Sequence, residues 1–219
     1  MKIISFGDIH EDISNLEPLK NELETADLII ISGDLTNYHG KEEAEKVIEG
    51  IMEYNKNVLA QFGNLDQSDV NDYLTEKGIN LHRNGHIMGD IGIFGVGGSN
   101  PTPFKTPTEF SEKEIETFLL EGYEKVRETK SKVLVPHVPP YDTKIDLIRS
   151  GAHVGSQNVR DFILKHKPDI SVSGHIHEAK GVDKIGNTMI CNAGMFREGG
   201  YIKITKQSGN LVAEFKVIT

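Results

Sequence analysis

The 219-residue sequence predicts an α/β fold built around a parallel sheet, on three observations. Apolar, strand-like runs alternate with amphipathic helical segments through the first half, which is the pattern of βαβ units. Five apolar runs spread along the whole chain end in short polar turns. The length suits one domain covering residues 1–219, since single α/β domains run to roughly 200–250 residues.

In order, the pattern predicts a strand at Lys2–Phe6, a helix near Ser14–Glu24, a strand at Asp27–Ser32, a helix near Lys41–Tyr54 and a strand at Asn57–Phe62. Two shorter strands follow, around Ile79–His82 and Ile87–Phe94, with a hairpin-like turn at Arg83-Asn84-Gly85 between them. The glycine-rich stretch Gly95–Pro103 matches neither a P-loop nor a dinucleotide fingerprint and reads as a plain loop. A helix near Ser111–Thr129 leads to a strand at Lys132–Pro136. Ser156 is placed to cap a helix running to about His166, and a strand at Asp169–Ser173 comes next. From Gly181 to Thr219 the chain reads as strands divided by turns such as Gly186-Asn187 and Ser208-Gly209-Asn210. His82, His86 and His166 are expected at the surface.

Composition narrows the classes of partner. With 24 basic and 33 acidic side chains the formal charge is −9, which argues against a nucleic-acid polymer or an anionic membrane as the main partner, though not against a nucleotide. The first apolar run, Met1 to Phe6, is too short for a signal peptide, and no stretch approaches the ~20 apolar residues of a membrane helix. The single cysteine, Cys191, forbids an intrachain disulfide and is expected to be a buried small hydrophobe in a reducing cytoplasm.

The five strand ends carry the chemistry. KIISF is followed by GDIH, LIIIS by GDLT, VLAQF by GNLD, KVLV by PHVPP, and DISVS by GHIH. Within those turns lie Asp8, His10, Asp34, Asn64, His137, His175 and His177, all oxygen or imidazole-nitrogen donors. If the strands are neighbours in one sheet, their carboxyl ends open on one edge, where ligands collect in α/β folds. Asp8/His10 and His175/His177 are each spaced by two, which in extended chain points both side chains the same way. A turn has no need of four histidines, whereas two metal shells do. Seven residues supply eight ligand places if one carboxylate bridges, and Asp34, the lone carboxylate of its turn, is the natural bridge. Mixed imidazole and oxygen ligation suits manganese, iron, zinc, cobalt or nickel rather than calcium.

At these residues the chain resembles the calcineurin-like metallophosphoesterase family, whose ordered signature is D-x-H, G-D-x-x, G-N-x-[D or E], an isolated H, and G-H-x-H. Here these are Asp8-Ile9-His10, Gly33-Asp34-Leu35-Thr36, Gly63-Asn64-Leu65-Asp66, His137 and Gly174-His175-Ile176-His177. The resemblance implies a four-layer αββα sandwich of two mixed sheets flanked by helices. It also implies two divalent transition-metal ions, manganese foremost, one held by Asp8, His10, Asp34 and His177 and the other by Asp34, Asn64, His137 and His175. The implied chemistry is attack of a bridging hydroxide on a phosphoester, with Asp34, Asn64 and His137 as catalytic residues.

One position departs from the commoner pattern. Many members place a proton-donating His directly after the asparagine of G-N, where this chain has Leu65. Leucine cannot transfer a proton, so ~10²–10⁴-fold of rate is at stake, least for good leaving groups. Some phosphodiesterase branches share this lack, which points to a small or nucleotide-like diester as substrate. His39, in the loop after the Asp34 turn, and His153, before the Ser156 helix start, are candidate substrate contacts. Lys144 and Arg149 are expected to face solvent. A phosphomonoesterase or protein phosphatase, and a metal-binding interaction scaffold with the same fold, stay open as alternatives, as do the substrate and the oligomeric state.

Overall fold

The run Leu28-Ile29-Ile30-Ile31 is buried along its whole length, and a strand covered on both faces must lie inside a layered structure. The computed structural model describes residues 1–218. The first sheet contains β1 (Lys2–Phe6), β2 (Leu28–Ile31), β3 (Val58–Ala60), β10 (Gly200–Gln207) and β11 (Asn210–Val217), in the order β11-β10-β1-β2-β3. The second contains β4 (Asn84–Met88), β5 (Ile91–Val96), β6 (Ser131–Pro136), β7 (Ile170–Ser173), β8 (Gly181–Ile185) and β9 (Thr188–Asn192), in the order β4-β5-β6-β7-β9-β8. Both are mixed: β1, β2 and β3 run parallel, as do β5, β6, β7 and β9, while β10, β11, β4 and β8 pair antiparallel.

Alternation along the strands sorts the side chains into three cores, which separate four layers. Ile4, Phe6, Ile29 and Ile31 face α1 (Leu16–Glu24), α2 (Lys41–Met52) and α3 (Asp69–Glu76). Ile3 and Ile30 point the other way and meet Ile91, Ile93, Val133, Val172 and Cys191 of the second sheet. Phe94, Val96 and Leu134 cover its far face against Ile115 and Leu119 of α4 (Glu112–Val126) and Val159 and Phe162 of α5 (Gln157–His166). The αββα sandwich implied by the resemblance is therefore the fold. Burial pushes the Cys191 thiol up to about 12, which keeps it a neutral hydrophobe. Among the described residues no helix is long and apolar enough to cross a membrane.

The caps follow the sequence. Ser111 accepts from the Glu114 N–H, while the Glu114 carboxylate accepts from the Ser111 N–H, a complete capping box at the start of α4. Ser156 accepts from the Val159 N–H at 3.1 Å and starts α5.

Four expectations are corrected. The eight-residue helix α3 was not foreseen, because it buries only Val70, Tyr73 and Leu74, too few positions to mark a helical period. Ile79–His82 is not a strand and makes only isolated bridges, Asn80 with Ala60 and His82 with Gly95. The hairpin turn falls at Gly89-Asp90, between β4 and β5, so that Asn84 and Gly85 lie within β4. Gly85 is there for close packing: a Cβ would sit 2.8 Å from the Gly122 carbonyl oxygen and 2.7 Å from the Val126 side chain of α4. His82 is half-buried, its ring packed on Phe62, Phe110 and Phe118, and His166 stacks on Phe162 with centroids 4.3 Å apart. The chain from Gly181 on forms strands as expected, with Thr219 outside the described residues.

Candidate metal centre

The five polar turns do meet, but not on the edge of a single sheet. Those after β1, β2 and β3 belong to the first sheet and those after β6 and β7 to the second, and the carboxyl ends of both sheets open on one shared edge. Four backbone bonds lace the first two turns together: the N–H groups of Asp8, Ile9, His10 and Glu11 donate to the carbonyls of Gly33, Asp34, Asp34 and Leu35 at 2.8–3.1 Å. Glycine makes this approach possible at the third turn. A Cβ on Gly63 would lie 2.1 Å from Asp34 Oδ1 and 2.3 Å from the Asp34 nitrogen.

Asp8, His10, Asp34 and His177 each offer a ligand atom, and these atoms lie within 4.8 Å of one another. Beside them, Asn64 Oδ1 is 3.1 Å from His137 Nε2 and 2.6 Å from His175 Nδ1, and Asp34 Oδ2 is 3.5 Å from His137 Nε2. All seven side chains singled out in the sequence thus come together. Asp8, His10, Asp34 and His175 reach their places with φ of 49°, 48°, 50° and 67°. Left-handed backbone at non-glycine residues is strained by about 1–3 kcal/mol each, and such strain gathers at functional sites.

Two of the histidines are held in one tautomer by the backbone. His137 Nδ1 is 3.0 Å from the Ser32 carbonyl and His10 Nδ1 is 3.3 Å from the Thr36 carbonyl, so each Nδ1–H donates outward and leaves an Nε2 lone pair toward the centre. His10 Nε2 and His177 Nε2 then stand 3.1 Å apart, nitrogen to nitrogen. Two imidazole nitrogens and two carboxylates gathered within 4.8 Å are a donor set for a cation, and the residues present fit a divalent metal pair.

Charge is correspondingly polarised. Burial pushes the Asp34 carboxyl up, but the adjacent His137 outweighs it and holds Asp34 at about 2. Burial likewise works against a charged His137, yet Asp34 and Asp8 raise it to about 9, so Nε2 carries a proton that a cation has to displace to gain the lone pair. His175, buried beside His137, falls to about 4.

Asp66 has a role that the sequence only half disclosed. It is fully buried and accepts four hydrogen bonds: Oδ1 from the Thr36 N–H (2.7 Å) and hydroxyl (2.8 Å), Oδ2 from the Gly63 N–H (2.7 Å) and the Leu35 N–H (3.1 Å). It therefore staples the Asp34 turn to the Asn64 turn. At Leu65 the side chain is replaced in importance by the backbone, whose N–H donates to Asp34 Oδ1 at 2.8 Å. The loop at Thr108 completes the support, its N–H donating to the Asn64 carbonyl and its hydroxyl to the Asp66 carbonyl.

The two other candidate histidines lie outside the cluster. His39 is exposed, with Nδ1 2.6 Å from Oε1 of Glu11, the residue after His10. His153 is half-buried, donating from Nδ1 to the buried Asp146 at 2.7 Å. Arg149 faces solvent as expected and also borders a cleft of about 830 Å³ that opens on His175 and His177 and is lined by Leu147, Glu178, Lys180 and Met195. Nothing in the sequence pattern could place that loop, because its position depends on contacts with Glu178 made across the fold.

Known proteins share the fold. A relative from Methanocaldococcus jannaschii, an uncharacterized protein, is 37% identical over 198 residues, covering 88% of this chain and 87% of its own. A protein of Thermus thermophilus has the same fold with a TM-score of 0.75 at 18% identity, over 100% of this chain and 99% of that one. A purple acid phosphatase from yellow lupin seeds superposes with a TM-score of 0.62 at 13% identity, over 99% of this chain and 51% of that one. The family pattern of the calcineurin-like phosphoesterases matches residues 1–179, the stretch that contains every one of the seven clustered side chains. On that match the chain belongs to the calcineurin-like phosphoesterase family, metal-dependent hydrolases of phosphoesters that use two divalent ions.

Proposed function

We propose that this chain is a phosphodiesterase acting on small or nucleotide-like diesters, with one divalent ion held by Asp8, His10, Asp34 and His177, a second by Asp34, Asn64, His137 and His175, and Asp34 between them. The observation that carries the reading is the convergence of these seven side chains with Nε2 of His10 and His137 turned inward by backbone carbonyls. When bound, two such ions lower the pKa of water and stabilise charge on the attacking and leaving oxygens. Manganese is our first choice, with iron, zinc, nickel or cobalt equally compatible with the donors. The buried lone cysteine suits a cytoplasmic setting.

The chain's own groups set the rest. The Leu65 N–H fixes the bridging carboxylate of Asp34, and Asn64 adds an oxygen ligand without adding negative charge. Two further features favour a diester. Leu65 provides no proton for a poor leaving group. The basic side chains lining the cleft are each already paired, Arg149 with Glu178 and Lys180 with Glu198, both at 2.8 Å, so they offer little extra charge for a dianionic monoester. The test is turnover of bis(4-nitrophenyl) phosphate against 4-nitrophenyl phosphate with manganese. A higher kcat/KM for the diester is expected. Preference for the monoester would overturn the diester assignment, and hydrolysis of neither would favour the interaction scaffold.

A further inference from the structure

The cleft beside His175 and His177 has a built wall. Residues 147–153 fold back on themselves: Leu147 bridges His153, the Ile148 N–H donates to the Ala152 carbonyl at 3.0 Å, and the Gly151 N–H donates to the Ile148 carbonyl at 2.8 Å. Beneath lies the wholly buried Asp146, which accepts from the N–H groups of Asp142, Thr143 and Gly155 and from His153 Nδ1. At the rim, Glu178 accepts from both the backbone N–H and the guanidinium Nε of Arg149, at 2.8 Å each. Since Glu178 directly follows His177, the wall is tied to the same turn that supplies a proposed metal ligand.

On this anchored wall stand two aliphatic side chains, Leu147, which is 41% exposed, and Ile148, with Met195 also lining the cleft. An exposed leucine on a rigid, hydrogen-bonded loop beside a charged centre has no packing role in the cores already described. The flanking charges cancel, Arg149 against Glu178 and Lys180 against Glu198. A cleft of about 830 Å³ lies within the ~300–1,000 Å³ range of small-molecule sites.

We propose that this cleft seats one arm of the diester, and that the arm it selects is uncharged and apolar, with Leu147 and Met195 as specificity-determining residues. The proposal rests on the phosphodiesterase reading, since it takes the phosphate to lie against His175 and His177. An aliphatic surface next to neutralised ion pairs favours an arm without charge.

The test uses the manganese-loaded full chain and diesters with a common 4-nitrophenyl leaving group and either a methyl or a butyl second arm. The butyl ester should show kcat/KM about tenfold higher, the discrimination a few buried methylenes provide. Leu147→Asn and Met195→Gln should each shrink the butyl-to-methyl ratio at least threefold, roughly, and the ratio within one variant is insensitive to partial loss of folded enzyme. Binding gives an independent readout: with the protein free of the metal added for turnover, O-butyl methylphosphonate, whose alkoxide is a poor leaving group, should bind about tenfold more tightly than O-methyl methylphosphonate. Equal kcat/KM and equal binding for the two arms, or a ratio unchanged in both variants, would overturn the subsite. Failure to hydrolyse any diester would instead overturn the phosphodiesterase reading, while the phosphonate pair still decides whether the cleft selects an apolar arm.

Discussion

Replacing Asp66 by asparagine tests whether the staple between the Asp34 and Asn64 turns is what holds the centre together. The carboxylate has four acceptor contacts, three of them with backbone N–H groups. An amide keeps one acceptor oxygen and presents an NH₂ where the other oxygen stood. In its better orientation the NH₂ meets the Thr36 hydroxyl, which can accept, but the Thr36 N–H is then orphaned in a buried place. One orphaned donor costs about 1–3 kcal/mol, and the remaining bonds lose the strength lent by a charged acceptor, so about 2–4 kcal/mol in all is expected. For a chain of this size that is roughly 5–15 °C in Tm. Burial and the neighbouring Asp34 push Asp66 up to about 6, against the pull of the Gly63 and Thr36 donors. A carboxyl raised in this way lends stability below about pH 3.8 that is lost as pH rises through 6, so both proteins are best compared at pH 8, with Asp66 ionised throughout. Thermal melts in EDTA give the stability, and manganese titration of each protein gives the affinity, which should fall as the two turns separate. Asp66→Ala strands all three N–H groups and must be worse. A melting temperature within about 2 °C of wild type for Asp66→Asn, or alanine better tolerated than asparagine, would refute the reasoning.

Other outcomes follow from the same geometry. Asp34→Asn or His137→Ala should reduce manganese-dependent diester hydrolysis to background and lower the metal content, measured by mass spectrometry, from about two ions per chain. Leu65→His should raise kcat/KM on alkyl esters with poor leaving groups by up to ~10²-fold while changing 4-nitrophenyl esters much less. Burial, with Arg83 alongside, holds the His82 imidazole down at about 3, and its Nδ1 accepts the Gly97 N–H at 3.0 Å. A depressed histidine lends stability above about pH 6.5 that is lost as pH falls toward 3, by up to about 1.4 kcal/mol per pH unit. Urea midpoints at pH 7, 6 and 5 should therefore fall more steeply in wild type than in His82→Gln.

The ligand cluster was legible because its chemistry is improbable as turn chemistry. Histidine does nothing for a bend, so His137, His175 and His177 at strand ends had to serve something else. The layered order was legible because β2, Leu28–Ile31, is an unbroken apolar run, and such a run needs cover on both faces. What could not be read depends on distance across the fold. Asn84-Gly85 looked like a turn, yet the glycine is required by the approach of α4 to β4. The bond from His153 Nδ1 to the buried Asp146, seven residues earlier, is likewise made by the folding of the loop and has no mark in the sequence. The resemblance implies two sheets, but which of the five strands belong to which could not be read, since local patterning cannot say which strands pair.

That division between sheets has a further consequence. Each proposed ion draws ligands from both, His177 joining Asp8, His10 and Asp34, and His137 and His175 joining Asp34 and Asn64. The polypeptide through the turn after β3 can form its parallel strands from local connections alone, yet it holds just four of the seven ligands. Tight ion capture therefore has to wait until the late strands have docked, and metal affinity becomes a gauge of how far the whole chain has assembled. By linkage the ions in turn hold the late half in place, with a stabilisation that grows as the logarithm of free metal over Kd.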